Sequence, residues 1–475
     1  MLRPVLRDGA GTSWGNVENQ RSAAIVREAA LSRSRRLHYW GREPKDVGST
    51  FRPKRQLTVT PSALLPVLAA LTTLVGVSVV GACGRDAVPV SSAPTVDTLA
   101  SGTVYVHNPL EGLWSADPEA RWEVVERLRI GRLEDAGPDA FGRIGSVVVD
   151  GLDRIWVADV LANRLKVFDS AGRFVREIGR KGRGPGEFMR LGPVFRGPGD
   201  EIWVEDLSLS RWEVFDTTGT RIRGYQVLSR LAGGWRRWLA DGRFLVMDIR
   251  PDAPDAPVIV EYRRALDGAL IARDTSALPA PRMPALMTLQ SPDGRVRISE
   301  PVPFSPRPWA TLSLEGDLWV SEGDGRYEIR RQRLNGDTLL VIRRAYEPVL
   351  IPDSLREAGI QALLDRFPGG VPRVGLDLDR VPRAYPPFDE CFVSTDGALW
   401  VRRKLPDGAD GFDVFDGDGL YLGQPNVPSD LGRMRIELIT ASHIHAVATD
   451  TLGVDYVVRF EIHRPAGTRN TDPKS

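Results

Sequence analysis

Cysteine is nearly missing from this chain: Cys83 and Cys391 are the only two in 475 residues. One pair cannot build a disulfide framework, so a small cystine-stapled fold is excluded. Histidine is scarce as well, with His38, His107, His443, His445 and His463. A zinc site needs three or four ligands, and only His443 and His445 lie close together. Two apart on a strand, they face the same side, with Asp450 or Asp455 as the nearest carboxylates in sequence. Two packing histidines are the plainer reading, and neither a metal nor another cofactor is expected. There is no Gly-x-Ser-x-Gly elbow, and Cys391 precedes Phe392-Val393 without a nearby histidine, which argues against either nucleophile.

Strong net charge is also lacking, at +1 overall. Residues 1–60 hold twelve Lys/Arg against five Asp/Glu, and residues 61–83 hold none, so residues 84–475 sum to −6. A mildly acidic body does not suit nucleic acid, whose phosphates call for a basic surface. Hydrophobic content of 42% and charged content of 26% are ordinary for a globular protein.

One long apolar run does exist, Leu64–Ala82, nineteen residues without a charge, preceded by Arg52, Lys54 and Arg55. Basic flank, apolar stretch and small residues make a secretory signal pattern. The end, Val80-Gly81-Ala82-Cys83, resembles a bacterial lipobox, which implies lipidation of Cys83 and a body tethered outside the cytoplasm at the periplasmic or cell-surface side of a membrane. An uncleaved anchor is the alternative, since nineteen residues can just cross a bilayer. A start at a non-Met codon, Val47 or Val59, would bring the run to the N-terminus. Residues 1–60 are then disordered or not translated, 61–83 the signal, 84–103 a tether, 104–465 the folded body and 466–475 a disordered tail.

The body repeats itself. Ile155-Trp156-Val157-Ala158-Asp159 returns as Ile202-Trp203-Val204-Glu205-Asp206, and Arg164-Leu165-Lys166-Val167-Phe168-Asp169 as Arg211-Trp212-Glu213-Val214-Phe215-Asp216, always 47 positions on. A period of about 40–50 residues is that of four-stranded propeller blades. With the Gly184-Pro185-Gly186-Glu187-Phe188 junction, residues 141–219 resemble NHL-type repeats of six-bladed β-propellers. The same turn-apolar-aromatic signal recurs at Phe244, Trp319 and Trp400, and in degenerate form at His443–Val447. Phe-Asp-x-x-Gly, a β-turn signature, occurs at Phe168, Phe215 and Phe415. The expectation is an all-β, six-bladed propeller of four-stranded antiparallel blades. Trp122–Gly131 should supply the outer strand of the last blade and close the ring.

Two stretches exceed the repeat. About Ala277–Pro308 is rich in proline, and residues 353–367 place Leu355, Ala358, Leu363, Leu364 and Phe367 on one face of a short helix. The Gly-rich Gly179–Gly186 reads as an inter-blade turn, because no helix follows to complete a phosphate site. Asp159 with Asp206, and Arg164 with Arg211, recur as turn residues rather than catalysts. Loops that differ between blades are the better recognition candidates: Arg250–Pro257, Ser321–Tyr327 and Arg402–Asp410, with Arg250, Tyr327, Arg402, Arg403 and Lys404 foremost. Two functions remain open. One is a noncatalytic, monomeric scaffold that binds a protein, peptide or glycan. The other is a propeller lyase, lactonase or other hydrolase with a metal at the pore.

Overall fold

The structure, a computed structural model, describes residues 93–465 apart from 134–136, 227–235, 240, 249–258, 265–269, 276–283, 291–294, 296 and 367–375. The chain begins with β1 (Thr95–Thr98) and β2 (Val104–Asn108), then a single helical turn α1 (Leu113–Ala116) and the long β3 (Glu123–Ile130). Blade 1 follows as β4 (Ile144–Val149), β5 (Ile155–Asp159), β6 (Arg164–Phe168) and β7 (Phe174–Ile178). Blade 2 is β8 (Leu191–Arg196), β9 (Ile202–Asp206), β10 (Arg211–Phe215) and β11 (Arg221–Gln226). Blade 3 is β12 (Arg236–Trp238), β13 (Arg243–Asp248), β14 (Ile259–Arg264) and β15 (Leu270–Thr275).

A hairpin, β16 (Leu286–Gln290) and β17 (Arg297–Pro301), precedes blade 4, which is β18 (Trp309–Leu312), β19 (Leu318–Ser321), β20 (Glu328–Gln332) and β21 (Thr338–Arg344). Helix α2 (Asp353–Leu364) separates it from blade 5, β22 (Glu390–Val393), β23 (Leu399–Lys404), β24 (Asp410–Phe415) and β25 (Tyr421–Gly423). Blade 6 has three strands of its own, β26 (Arg435–Ile439), β27 (His443–Thr449) and β28 (Asp455–His463). Its fourth is β3, antiparallel to β28 from Val457↔Ile130 to His463↔Glu123. The fold is a six-bladed β-propeller of four-stranded antiparallel sheets, closed by mixed chain ends.

The repeated residues build repeated geometry. Asp169, Asp216 and Asp416 open turns in which Gly172, Gly219 and Gly419 donate their N–H back to the Asp carbonyl at 2.9, 2.9 and 3.1 Å. Those glycines sit at φ of 78°, 83° and 86°, where a side chain would be strained. In blades 1, 2, 4 and 5 the second strand sends its tryptophan into the next blade. Trp156 packs with Ile202, Val204 and Phe215, Trp203 with Trp238 and Phe244, Trp319 with Leu399 and Phe415, and Trp400 with Ile444 and Phe460. In blade 6 the equivalent residue is His445, which makes that copy of the signal degenerate.

Two features depart from expectation. The stretch 84–103, read as a tether, contains β1, paired antiparallel with β2. In turn β2 lies parallel to β21 and extends blade 4 to a six-stranded sheet. All four β1 residues are exposed, so no apolar alternation marks the strand; the free edge of β2 makes it. The proline-rich insertion also holds a hairpin, and it packs on the other insertion. Met287, Leu289 and Val302 share a core with Ile360, Leu363, Leu364 and Val381. Helix α2 ends at Leu364, with Leu355 and Ala358 only half-buried, while Phe367 lies outside the described residues. Gly359 is required where α2 meets Phe304, since a Cβ there would lie 2.5 Å from the ring.

Candidate functional site

Antiparallel blades put alternate connections at opposite ends. The turn between the second and third strands therefore shares one face of the ring, here the upper face, with the link between blades. Hydrogen bonds confirm the pairing: Asp159, closing β5, accepts from the N–H groups of Gly142 (3.0 Å) and Arg143 (3.2 Å) ahead of β4. Asp206 does the same for Met189 (2.8 Å) and Arg190 (3.3 Å) ahead of β8. Both aspartates are buried, 1% and 0% exposed, and their role is structural. Loops 321–327 and 402–410 are turns of this kind in blades 4 and 5, and both insertions are inter-blade links. All of them lie on the upper face. Arg250 and its loop lie outside the described residues, as does Cys83.

The candidate residues divide once placed. Tyr327 and Arg403 turn inward to one carboxylate, Asp413. Tyr327 donates its hydroxyl at 2.8 Å and Tyr421 donates at 2.9 Å. Arg344 Nη1 and Arg403 Nε stand 3.2 and 3.0 Å away, at ion-pair distance without hydrogen-bond alignment. The Arg344 guanidinium lies 4.1 Å from the centroid of the Tyr421 ring, a cation–π contact. All five residues are buried. Burial, reinforced by Asp413, raises the Tyr327 phenol well above its ordinary range, and burial likewise raises Tyr421. These phenols are hydrogen-bond donors, and the cluster welds blade 4 to blade 5.

Arg402 is an inter-blade clamp. It pairs with Glu390 on the innermost strand and donates to the carbonyls of Met434 (3.1 Å) and Gly432 (3.4 Å) ahead of blade 6. Lys404 reaches Asp410 at 2.7 Å and lies 5.8 Å from the Tyr385 ring of the second insertion. Of the run Arg402-Arg403-Lys404, only Lys404 addresses the cap that the insertions form.

Sequence reasoning missed Asp413, Tyr421 and Arg344. A signal was present, because a charge recurs at the middle of the third strand inside apolar sequence, as Lys166, Glu213, Arg330 and Asp413. Three of these pair with the residue three positions after the second-strand tryptophan: Lys166 with Asp159 (3.3 Å), Arg330 with Glu322 (2.8 Å) and Asp413 with Arg403 (3.0 Å). The polarity is reversed in blade 5.

The remaining chemistry is inward or satisfied. Burial pushes the Cys391 thiol well above its ordinary range, which disfavours the thiolate. His445 is 2% exposed with neither ring nitrogen bonded, and burial first, then His443 and Arg459, lowers its pKa to about 3. The two histidine rings lie 6.1 Å apart. Among the described residues no group of three or more His, Cys, Asp or Glu is placed to hold a metal ion. In the Gly179–Gly186 link the chain supplies its own anion. The Glu187 carboxylate accepts from Gly184 N–H at 2.8 Å and from Arg180 at 2.7 Å. The Gly184 N–H, followed by Arg180, holds its pKa below the usual range.

The family comparison agrees with this architecture. Residues 137–204 match the model of the DUF5128 family, described as a 6-bladed beta-propeller. No curated protein matches the chain in sequence. Virginiamycin B lyase from Staphylococcus aureus is similar in structure at 11% identity and TM-score 0.38, over 72% of this chain and 99% of its own. A member of the duf4221 family from Bacteroides vulgatus gives 11% and 0.37, over 73% of this chain and 100% of its own. A gluconolactonase from Xanthomonas campestris gives 14% and 0.32, over 67% and 88%. Likeness at this level carries nothing about chemistry. Among the described residues no helix is long and apolar enough to cross a membrane.

Proposed function

We propose that this chain is an extracytoplasmic, membrane-tethered scaffold that binds a protein, peptide or glycan on its upper face without transforming it. The observation that carries the reading is the cap. Both insertions extend the same face, and they join through one apolar core of their own. Arg366 and Glu300 pin them together at 2.8 Å. Elaborating one face of a rigid ring, beside loops that differ between blades, is how a propeller gains selective recognition. The Leu64–Cys83 sequence supports the tether. The buried thiol of Cys391 and the buried, neutral imidazole of His445 do not suit nucleophilic or acid–base work.

The test is a peptide and glycan array probed with wild-type protein, Tyr385→Ala, Lys404→Ala and, on the lower face, Leu152→Ala. Binding lost in the first two variants at unchanged melting temperature, and kept in the third, is the expected result. Loss only with Leu152→Ala would move recognition to the other face. Stoichiometric metal in the parent, removed by a folded His443→Ala, His445→Ala double variant, would favour the enzyme reading.

A further inference from the structure

Four leucines stand far out on the upper face. Leu133 (59% exposed) is on the link from β3 to β4, Leu161 (67%) on the β5–β6 turn, Leu452 (70%) on the β27–β28 turn and Leu350 (73%) on the link from β21 to β22. The first three sit over blades 6 and 1, where the two ends of the Leu133 link meet the other two turns. A Cβ on Gly131 would lie 2.5 Å from the Tyr456 ring, so the Leu133 link abuts the end of the Leu452 turn. The Cβ of Leu161 is 3.1 Å from where a Cβ on Gly142 would be, at the far end of that link.

Hydrogen bonds hold the turns that carry Leu452 and Leu161. The Asp450 carboxylate accepts from the N–H groups of Leu452 and Val454, both at 2.9 Å, and Gly453 takes φ 84°. The Asp159 carboxylate accepts from Ala162 N–H at 3.2 Å, just after Leu161. A leucine fixed outward on a stiff turn gains nothing within the chain, and such exposed apolar groups mark contact with another phase or partner. On the same face, Arg143, Lys181 and Arg183 are exposed and, among the described residues, have no ion-pair partner. The acidic residues nearest Arg143 and Arg183 in sequence are Asp139 and Glu187, and each is already paired, with Arg132 and Arg180.

The chain's own direction selects the occupant. Thr95 pairs with His107 and His107 with Arg343, at the upper end of β21. Strand β1 therefore begins at the leucine-bearing face. Twelve residue steps separate Thr95 from Cys83, a reach of at most about 40 Å, and before them lies the apolar run Leu64–Ala82.

We propose that the upper face over blades 6 and 1 rests on a lipid bilayer, with Leu133, Leu161 and Leu452 inserted among the headgroups and Arg143, Lys181 and Arg183 facing anionic lipid. Apolar tips backed by cations fit the interfacial layer of a membrane. The cap over blades 4 and 5 then works at the membrane surface, and its ligand is membrane-proximal. This orientation rests on the tethered-scaffold reading.

The test uses the full chain in phosphatidylethanolamine–phosphatidylglycerol vesicles. Single cysteines replacing Leu161, Leu452 and, on the lower face, Leu152 carry an environment-sensitive fluorophore; Cys391 is buried and does not compete. Labels at 161 and 452 should shift to the blue and be quenched by nitroxide lipids, and the label at 152 should do neither. Equal behaviour of 161 and 152 on vesicle-bound protein overturns the orientation while the tether stands. Failure of the chain to float with vesicles overturns both. If Cys83→Ala floats and keeps the quenching pattern, the lipidation reading falls and the orientation holds. A label at 161 shielded from both aqueous and lipid quenchers means that a protein covers the patch, and the bilayer proposal fails.

Discussion

Among the described residues the outer rims of blades 1 and 2 are bare, whereas one continuous stretch of chain covers those of blades 4 and 5 and supplies the outer strand of blade 6. Bare β7 reads Phe-Val-Arg-Glu-Ile with its first four residues exposed, and bare β11 carries Arg221 and Arg223. Covered β21 reads Thr-Leu-Leu-Val-Ile-Arg-Arg, with Leu340, Val341 and Ile342 at 7%, 2% and 0% exposure beneath β2. Covered β25 is buried throughout, and α1 presses so close that a Cβ on Gly112 would lie 2.6 Å from Gly423 Cα. The chain then reaches β3, where Trp122 O accepts from Asn426 N–H at 2.9 Å. The difference teaches how this ring manages its edges. Where nothing covers an outer strand, charges guard it against pairing with another chain. Where residues 95–130 run over it, the strand is free to be apolar, and burial there binds the ends of the chain together.

The sharpest way to break this comparison is Trp122→Ala. Trp122 is 1% exposed, with Trp114 and Trp400 at 5.5 and 5.9 Å and the Arg464 guanidinium 3.9 Å from its ring. A loss of about 3–5 kcal/mol is expected, as for buried aromatics cut to alanine, measured by urea denaturation. A loss below about 1 kcal/mol, within the common run of point mutants, would mean that the strap is ornamental.

The covered and bare halves meet at the seam of blades 6 and 1, where His445 replaces tryptophan. Polar stitches cross this seam: Asp455 to Ile144 N–H (2.9 Å), Glu437 to Val147 N–H (3.3 Å), Arg435 to Ile144 O (3.0 Å) and Arg459 to Ser170 O (2.7 Å). Folded His445 titrates at about 3 against an ordinary 6.5. Between those values the unfolded chain binds the extra proton, so stability is complete above pH 6.5 and falls as pH drops towards 3. From pH 6.5 to 5 the wild type should lose about 1.5–2 kcal/mol, at roughly 1.4 kcal/mol per pH unit. His445→Phe should flatten that window in a pH series of melting curves. An unchanged slope would assign the acid sensitivity elsewhere.

The smallest effect is expected on the bare rim. Val175→Thr on β7, at a site 41% exposed, should change stability by no more than about 0.5 kcal/mol. A loss approaching that of Trp122→Ala would erase the distinction between the two rims.

Local chemistry is what the sequence determined by itself. Alternating strands, Phe-Asp-x-x-Gly turns and a recurring tryptophan each span a few residues, so the blade plan and the ring-closing strand before blade 1 could be read directly. Glu187 filling its own glycine-rich turn belongs to the same class. Only the tertiary structure decided what depends on distant partners. Strand β1 has no apolar face and exists through backbone bonds to β2, and β2 is held by pairings to residues more than 230 positions away, as in Thr103 Oγ1 donating to Thr338 O at 2.8 Å. Backbone pairing leaves no mark on side-chain pattern. Tyr327 and Arg403, which look like recognition residues in their loops, are drawn inward because blade 5 reverses the sign of an ion pair and Asp413 needs donors. The two insertions, with the whole of blade 4 between them in sequence, meet because both links rise on the same face of a closed ring.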